Sequence, residues 1–170
     1  MRKVEVCAYN EAWLIMFKEE ENKLANIFED ELVALHHIGS TAVRGLQAKP
    51  IIDIMPVVRD IEKVDNYNQA MIEIGYEPRG ENGIPKRRYF QKGGDNRTHH
   101  VHIFQVGSED ITRHLAFREY LSTFPQVKKE YGELKQSLAQ QFPYEIAAYI
   151  EGKDGFVKEM EQRALKWYQK

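Results

Sequence analysis

Residues 36–58, HHIGSTAVRGLQAKPIIDIMPVV, join two apolar runs through a turn of small hydroxylated residues. Leu32 to Ile38 closes the first run and meets Gly39-Ser40-Thr41, where glycine permits positive φ and hydroxyls and backbone N–H groups suit an anion such as phosphate. Gly45 and Lys49-Pro50 then lead into Ile51–Val58, too apolar and too short for anything but a buried strand. Asp53 is the anomaly in that strand. A carboxylate there is costly unless it meets a cation, a metal ion or several donors. The period of two sets Asp53 and Met55 on one face, Ile52 and Ile54 on the other.

A strand, a Gly-Ser turn and then an acid on a second strand resembles the layout of the nucleotidyltransferase superfamily, whose pattern is Gly-Ser followed by Asp-apolar-Asp. Gly39, Ser40 and Asp53 match it. The fuller string resembles the narrower GrpB family: HIGSTAV, GLxAKPIIDI, HVH at His100–His102, FREYL at Phe117–Leu121, a YxxLK pattern at Tyr131, Leu134 and Lys135, and YxxxKxxF at Tyr149, Lys153 and Phe156. The resemblance covers nearly the whole chain. It implies an α+β fold of nucleotidyltransferase type, a small mixed β-sheet flanked by helices with a helical C-terminal half. It also implies metal-dependent transfer of a nucleotidyl group from a nucleoside triphosphate (NTP) to an unidentified acceptor.

Members of that superfamily hold two divalent ions with carboxylates two residues apart and a third from a later strand. Here Met55 stands at the second position, and the later strand, Thr98–Phe104, has no acid but presents His100 and His102 on one face. Asp53 with two imidazoles suits Zn²⁺, Mn²⁺ or Fe²⁺ better than the all-oxygen preference of Mg²⁺. The cofactor expected is therefore one divalent metal ion, Mg, Mn or Zn, at Asp53, His100 and His102. The alternative for Asp53 is an ion pair with a buried cation such as Lys49.

Gly39, Ser40 and Thr41 are the candidates for holding the triphosphate, Lys49 and Arg88 for balancing its charge, and His37, beside the turn, for acid or base work. Lys135 and Lys153, at family positions on the helical part, are candidates for reaching phosphates across a cleft, with helix-surface salt bridges as the other reading. His36, His99 and His114 read as ordinary structural residues. The family resemblance also leaves room for a degenerate module that keeps the nucleotide pocket but serves as a folding-accessory or protein-interaction unit, since relatives occur fused to dephospho-CoA kinase. Met55 favours that rival. Phosphoester hydrolysis by the His pair is a third class.

At 170 residues, 42% hydrophobic and 29% charged, the chain suits one domain, residues 1–170, divided into an α/β core over 1–107 and a helical cap over 108–170. A net charge of −2 argues against broad nucleic-acid binding. Cys7 is the single cysteine, so no internal disulfide forms, and no apolar segment suffices for a membrane span. The expected setting is cytoplasmic.

Periodicity predicts a helix over about 11–31 after Asn10 as N-cap, with Trp13, Phe17, Leu24, Ile27 and Phe28 inward and Lys18, Glu19, Glu20 and Lys23 outward. A second helix is predicted from Asp60 to Ile74, closed by Gly75. Next come a short strand near Tyr76, a hairpin of 86–92 with 98–106 turning at Gly93–Asn96, and helices ending at Phe124-Pro125 and Pro143. A short helix at 144–150 and another at 154–168 complete the expectation.

Overall fold

The structure is a computed structural model and describes residues 3–169. Helix α1 (Ala12–Phe28) begins where the Asn10 side chain accepts the Ala12 N–H at 2.9 Å. Trp13, Phe17, Leu24 and Phe28 form its buried stripe, and a 3-10 turn, Glu29–Glu31, takes the chain into strand β1 (Leu32–Ile38). Glu20 lies on that same stripe, 3% exposed, which corrects the outward placement expected from its charge. It is compensated there: Tyr76 Oη donates to it at 2.9 Å and Lys92 Nζ at 2.6 Å. Burial alone would raise its pKa, but the Lys92 and Tyr76 bonds prevail and hold it below the usual carboxylate range.

Strand β2 (Ile52–Val58) follows the turn and runs antiparallel to β1. Next come a 3-10 stretch, Ile61–Tyr67, and a short α2 (Asn68–Glu73), in place of the single α-helix expected from Asp60 to Ile74. Asp60 does cap it, accepting the Glu62 N–H at 3.0 Å, but Ile61, Val64, Asp65, Asn66 and Tyr67 are weak helix formers. Strands β3 (Tyr76–Pro78), β4 (Arg88–Lys92) and β5 (His99–Gln105) complete a five-stranded sheet in the order β1-β2-β5-β4-β3, with β2 and β5 parallel and the other pairs antiparallel. The architecture is thus α+β, with a mixed sheet flanked by helices and a C-terminal part built from α3 (Glu109–Thr123), α4 (Pro125–Gln141) and α5 (Ile146–Tyr168).

The pleat sorts the side chains. Ile52, Ile54, Val58, Phe90, Val101 and Ile103 pack with α1 on one face. Ile38, Met55 and Phe104 pack with Ile111 and Leu115 of α3 on the other. Just after the turn, Val43 and Leu46 insert between Leu121 of α3 and Tyr131 of α4, which pins the turn to the helices. Near the N-terminus, Val4 packs on Leu138 and Tyr149, and Cys7 pairs with Ala48. Helix α5 runs unbroken through Gly152 and Gly155, correcting the expected pair of helices. A Cβ at Gly152 would stand 2.6 Å from Leu138 Cδ2, so this glycine lets α5 lie close on α4 and does not end the helix.

Leu24 is completely buried between α1 and the sheet. Leu24→Ala is expected to lower unfolding stability by about 2–5 kcal/mol, read as a reduced urea midpoint at unchanged m-value.

Candidate functional site

Asp53 sits at the head of β2, in register with Ile38 on one side and His100 on the other. Its face is therefore that of His100 and, two residues on, His102. Asp53 Oδ1 lies 3.0 Å from His102 Nε2 and 3.3 Å from His100 Nδ1. Burial alone would raise the Asp53 pKa, but the two imidazole hydrogen bonds outweigh it and hold the carboxyl well below the ordinary range. Oδ2 faces the turn: Gly39 has φ +73, and a Cβ there would come within 2.7 Å of Oδ2. Gly39 thus serves both the turn and the close approach of the carboxylate.

The far nitrogen of each imidazole meets a guanidinium. Arg87 Nη1 is 3.2 Å from His102 Nδ1, and Arg97 Nη1 is 3.3 Å from His100 Nε2. Arg87, 6% exposed, also donates to the carbonyls of Glu81 (3.1 Å) and Asn82 (2.9 Å) and lies over the Tyr89 ring. Asp53, His100 and His102 each offer one ligand atom, all within 4.8 Å of one another, so as a donor set they fit one divalent ion through at least the carboxylate.

Beside this centre Lys49, Lys135 and Lys153 form a basic cluster around Tyr131 and Tyr149. Lys135 of α4 is 2% exposed, and its Nζ has no hydrogen-bond partner among the described residues. It rests 4.4 Å from the centroid of the Tyr131 ring, while Lys49 and Lys153 lie 5.3 and 5.2 Å over the Tyr149 ring. The buried Tyr149 hydroxyl also lacks a partner among the described residues. Burial, reinforced by Lys153 and Lys49, pushes the Lys135 pKa down to about 6, against a smaller pull upward from Asp53. Burial likewise lowers Lys153 and raises Tyr131 to about 12, with Ser40 hydrogen-bonded to the latter. The turn, Asp53 and the lysines thus share one electrostatic environment.

The structure does not bring every expected residue there. His37 pairs with Ile54 and so faces α1, where its ring stacks on Phe17 at 4.7 Å and its Nε2 lies 2.9 Å from Thr41 Oγ1. Burial takes its pKa down to about 4. His37 thus stands on the sheet face opposite Asp53, with the Thr41 hydroxyl as a hydrogen-bond partner. Arg88, in register with Ile103, points to that same opposite face and binds Asp65 at 2.8 Å. Its neighbour Arg87 takes the place at the site, a difference that follows from strand parity. Arg97 comes from the hairpin turn, where the sequence carries no comparable signal.

The family model described as GrpB protein matches residues 3–163. The chain belongs to the GrpB family. A GrpB relative in Alkalihalophilus pseudofirmus, a glutamate-rich protein, is 32% identical over 93% of this chain and 94% of its own length. UPF0157 protein YqkA of Bacillus subtilis is 51% identical over 98% of the chain, which spans only 48% of that relative. The crystal structure of conserved protein GrpB from Enterococcus faecalis superposes with a TM-score of 0.95 at 46% identity, covering 98% of this chain and 100% of that one. A structure of the Cid1 poly(U) polymerase bound to MgATP reaches a TM-score of only 0.48 at 12% identity, over 77% of this chain and 45% of that one, and a likeness of that size carries nothing about activity.

Gly39→Ala is expected to cost about 1–3 kcal/mol in urea unfolding, because the new methyl combines positive φ with a clash at Asp53. Lys135 binds its proton in the unfolded chain up to its ordinary 10.5, but in the folded chain only up to about 6. Between those values the unfolded state holds more protons, so stability rises with pH across that window and the penalty is greatest below it. Lys135→Met should therefore make the ligand-free protein more stable at neutral pH, on the order of 2–4 kcal/mol, with the gain shrinking toward pH 10.5 in a pH series of urea titrations.

Proposed function

We propose that this chain binds the polyphosphate of a nucleoside triphosphate between the Gly39–Ser40 turn and Lys49, Lys135 and Lys153, and transfers the nucleotidyl group to an acceptor hydroxyl. The observation that carries this reading is the unpartnered Lys135 amine, almost fully buried with two further lysines beside it. Burial keeps that amine largely neutral without a ligand, and a polyanion that restores its proton would gain a charge-assisted hydrogen bond there. The core over 1–107 contributes the turn, Asp53 and Lys49, and the cap over 108–170 contributes Lys135 and Lys153. The two parts therefore act as one unit.

In this reading the acceptor hydroxyl gives its proton to water as its oxygen bonds to the α-phosphorus and the bond to pyrophosphate breaks. The lysines stabilise charge on the departing pyrophosphate, and the turn N–H groups orient the phosphates. No protein nucleophile is required. Asp53 would hold a divalent ion, which when bound supplies charge neutralisation at the phosphate oxygens. Among the described residues no helix is long and apolar enough to cross a membrane, and a cytoplasmic setting rich in nucleotides suits this reading.

One observation favours a second reading. Met55 is completely buried against Ile38 and Phe104, so apolar core fills the place where a second acid would stand. Nucleotide binding without transfer, as a folding-accessory or protein-interaction module, would be consistent with that.

The test is a thermal-shift series with ATP, GTP, CTP and UTP, each with Mg²⁺ or Mn²⁺, on the native chain and on Lys135→Met. Nucleotide at a hundredfold excess over Kd should stabilise the native chain by about 2.7 kcal/mol and leave the variant unmoved. Binding should also take up protons near pH 7.5, seen by calorimetry in buffers of different ionisation enthalpy, because an anion restores the Lys135 charge. No shift with any nucleotide sinks both readings; a shift without pyrophosphate release across a panel of hydroxyl acceptors leaves only the second.

A further inference from the structure

We propose that His100 and His102 serve Asp53 as hydrogen-bond donors in opposite tautomers fixed by Arg87 and Arg97, and that the ion taken at Asp53 is therefore a hard, oxygen-ligated one rather than Zn²⁺ held by imidazoles. The tautomers follow from the contacts alone; the choice of ion rests on the functional reading above. An arginine side chain has only N–H donors and no acceptor. Arg87 Nη1, 3.2 Å from His102 Nδ1, therefore needs a lone pair there, which puts the His102 proton on Nε2, facing Asp53 Oδ1 at 3.0 Å. His100 is arranged the other way round. Arg97 Nη1 faces its Nε2 at 3.3 Å, and the proton on Nδ1 faces the same Oδ1 at 3.3 Å.

Both imidazoles thus spend their N–H on one carboxylate oxygen. A metal ion on His102 Nε2 would require the proton to move to Nδ1, where it would meet the Arg87 guanidinium donor to donor. Histidines that ligate metals give their outer N–H to a carboxylate, a carbonyl or water. Here each outer nitrogen faces a cation that accepts nothing. Arg87 is not easily displaced, being 6% exposed and tied to the carbonyls of Glu81 and Asn82. Asp53 Oδ2 is different: both imidazole contacts fall on Oδ1, and Oδ2, against Gly39 at the turn, is the carboxylate oxygen that would be offered to a hard cation. Arg87 and Arg97 are positioning residues in this scheme, acting on Asp53 through the imidazoles.

The experiment is long-range ¹H–¹⁵N correlation NMR on protein labelled at the histidine rings, without nucleotide, with His100→Gln and His102→Gln to assign the two rings. The expected spectrum has the His102 proton on Nε2 and the His100 proton on Nδ1, both unchanged by one molar equivalent of ZnCl₂. Arg97→Ala should turn His100 into a mixture of tautomers and leave His102 alone. The proposal is overturned if both rings carry the proton on the same nitrogen, if Arg97→Ala leaves His100 as it was, or if Zn²⁺ strips the proton from His102 Nε2. Because nucleotide is left out, none of these outcomes depends on polyphosphate binding, and the thermal-shift series can fail without touching the tautomers.

Discussion

An ionised carboxylate at the head of the most buried strand sets the terms for the rest of the structure. Asp53 belongs to β2, which is hydrogen-bonded on both sides, and its charge is tolerated because two imidazoles from the parallel neighbour converge on Oδ1. That requirement explains why β5 carries histidines at alternate positions, and why guanidinium groups stand behind them. It also explains the glycine at the end of β1, since a side chain there would drive the carboxylate out of place. Sheet order, register and turn conformation all answer to the same charge.

The lysine cluster is the complementary half. Asp53 is more than compensated by donors, whereas Lys135 is under-compensated by protein, with Tyr131 and Tyr149 offering ring faces. An unpartnered amine held largely neutral by burial stands beside a satisfied carboxylate, and that inequality is what the proposed polyanion site rests on. The opposite face of the sheet shows how a purely structural charge looks by comparison. Glu20 has both Tyr76 and Lys92 in direct contact, so its charge is accounted for without any ligand.

Much of the arrangement was legible from the residues. The strand-turn-strand unit followed from the apolar runs and Gly39, the hairpin from Gly93–Asn96, and the gathering of Asp53, His100 and His102 from alternation along β2 and β5. What misled was adjacency without register. His37 neighbours the turn in sequence, but its pairing with Ile54 sends it to the α1 face, and Arg88 is separated from the site by the one-residue parity that favours Arg87. Lys135 falls one turn after Tyr131, on the buried side of α4, and nothing in its chemistry announced that burial. Glu20 was misplaced for the same reason: charge was read as exposure where spacing alone pointed inward.

Helix α5 holds Tyr149 and Lys153 on one uninterrupted rod, and Gly152 between them lets that rod settle onto Leu138. Without a joint at that glycine, the backbone positions that carry ring and amine keep one spacing, and only side-chain torsions remain to adjust. In the proposed function the backbone of that wall is thus set before a polyanion arrives, and only its side chains are left to be ordered on binding.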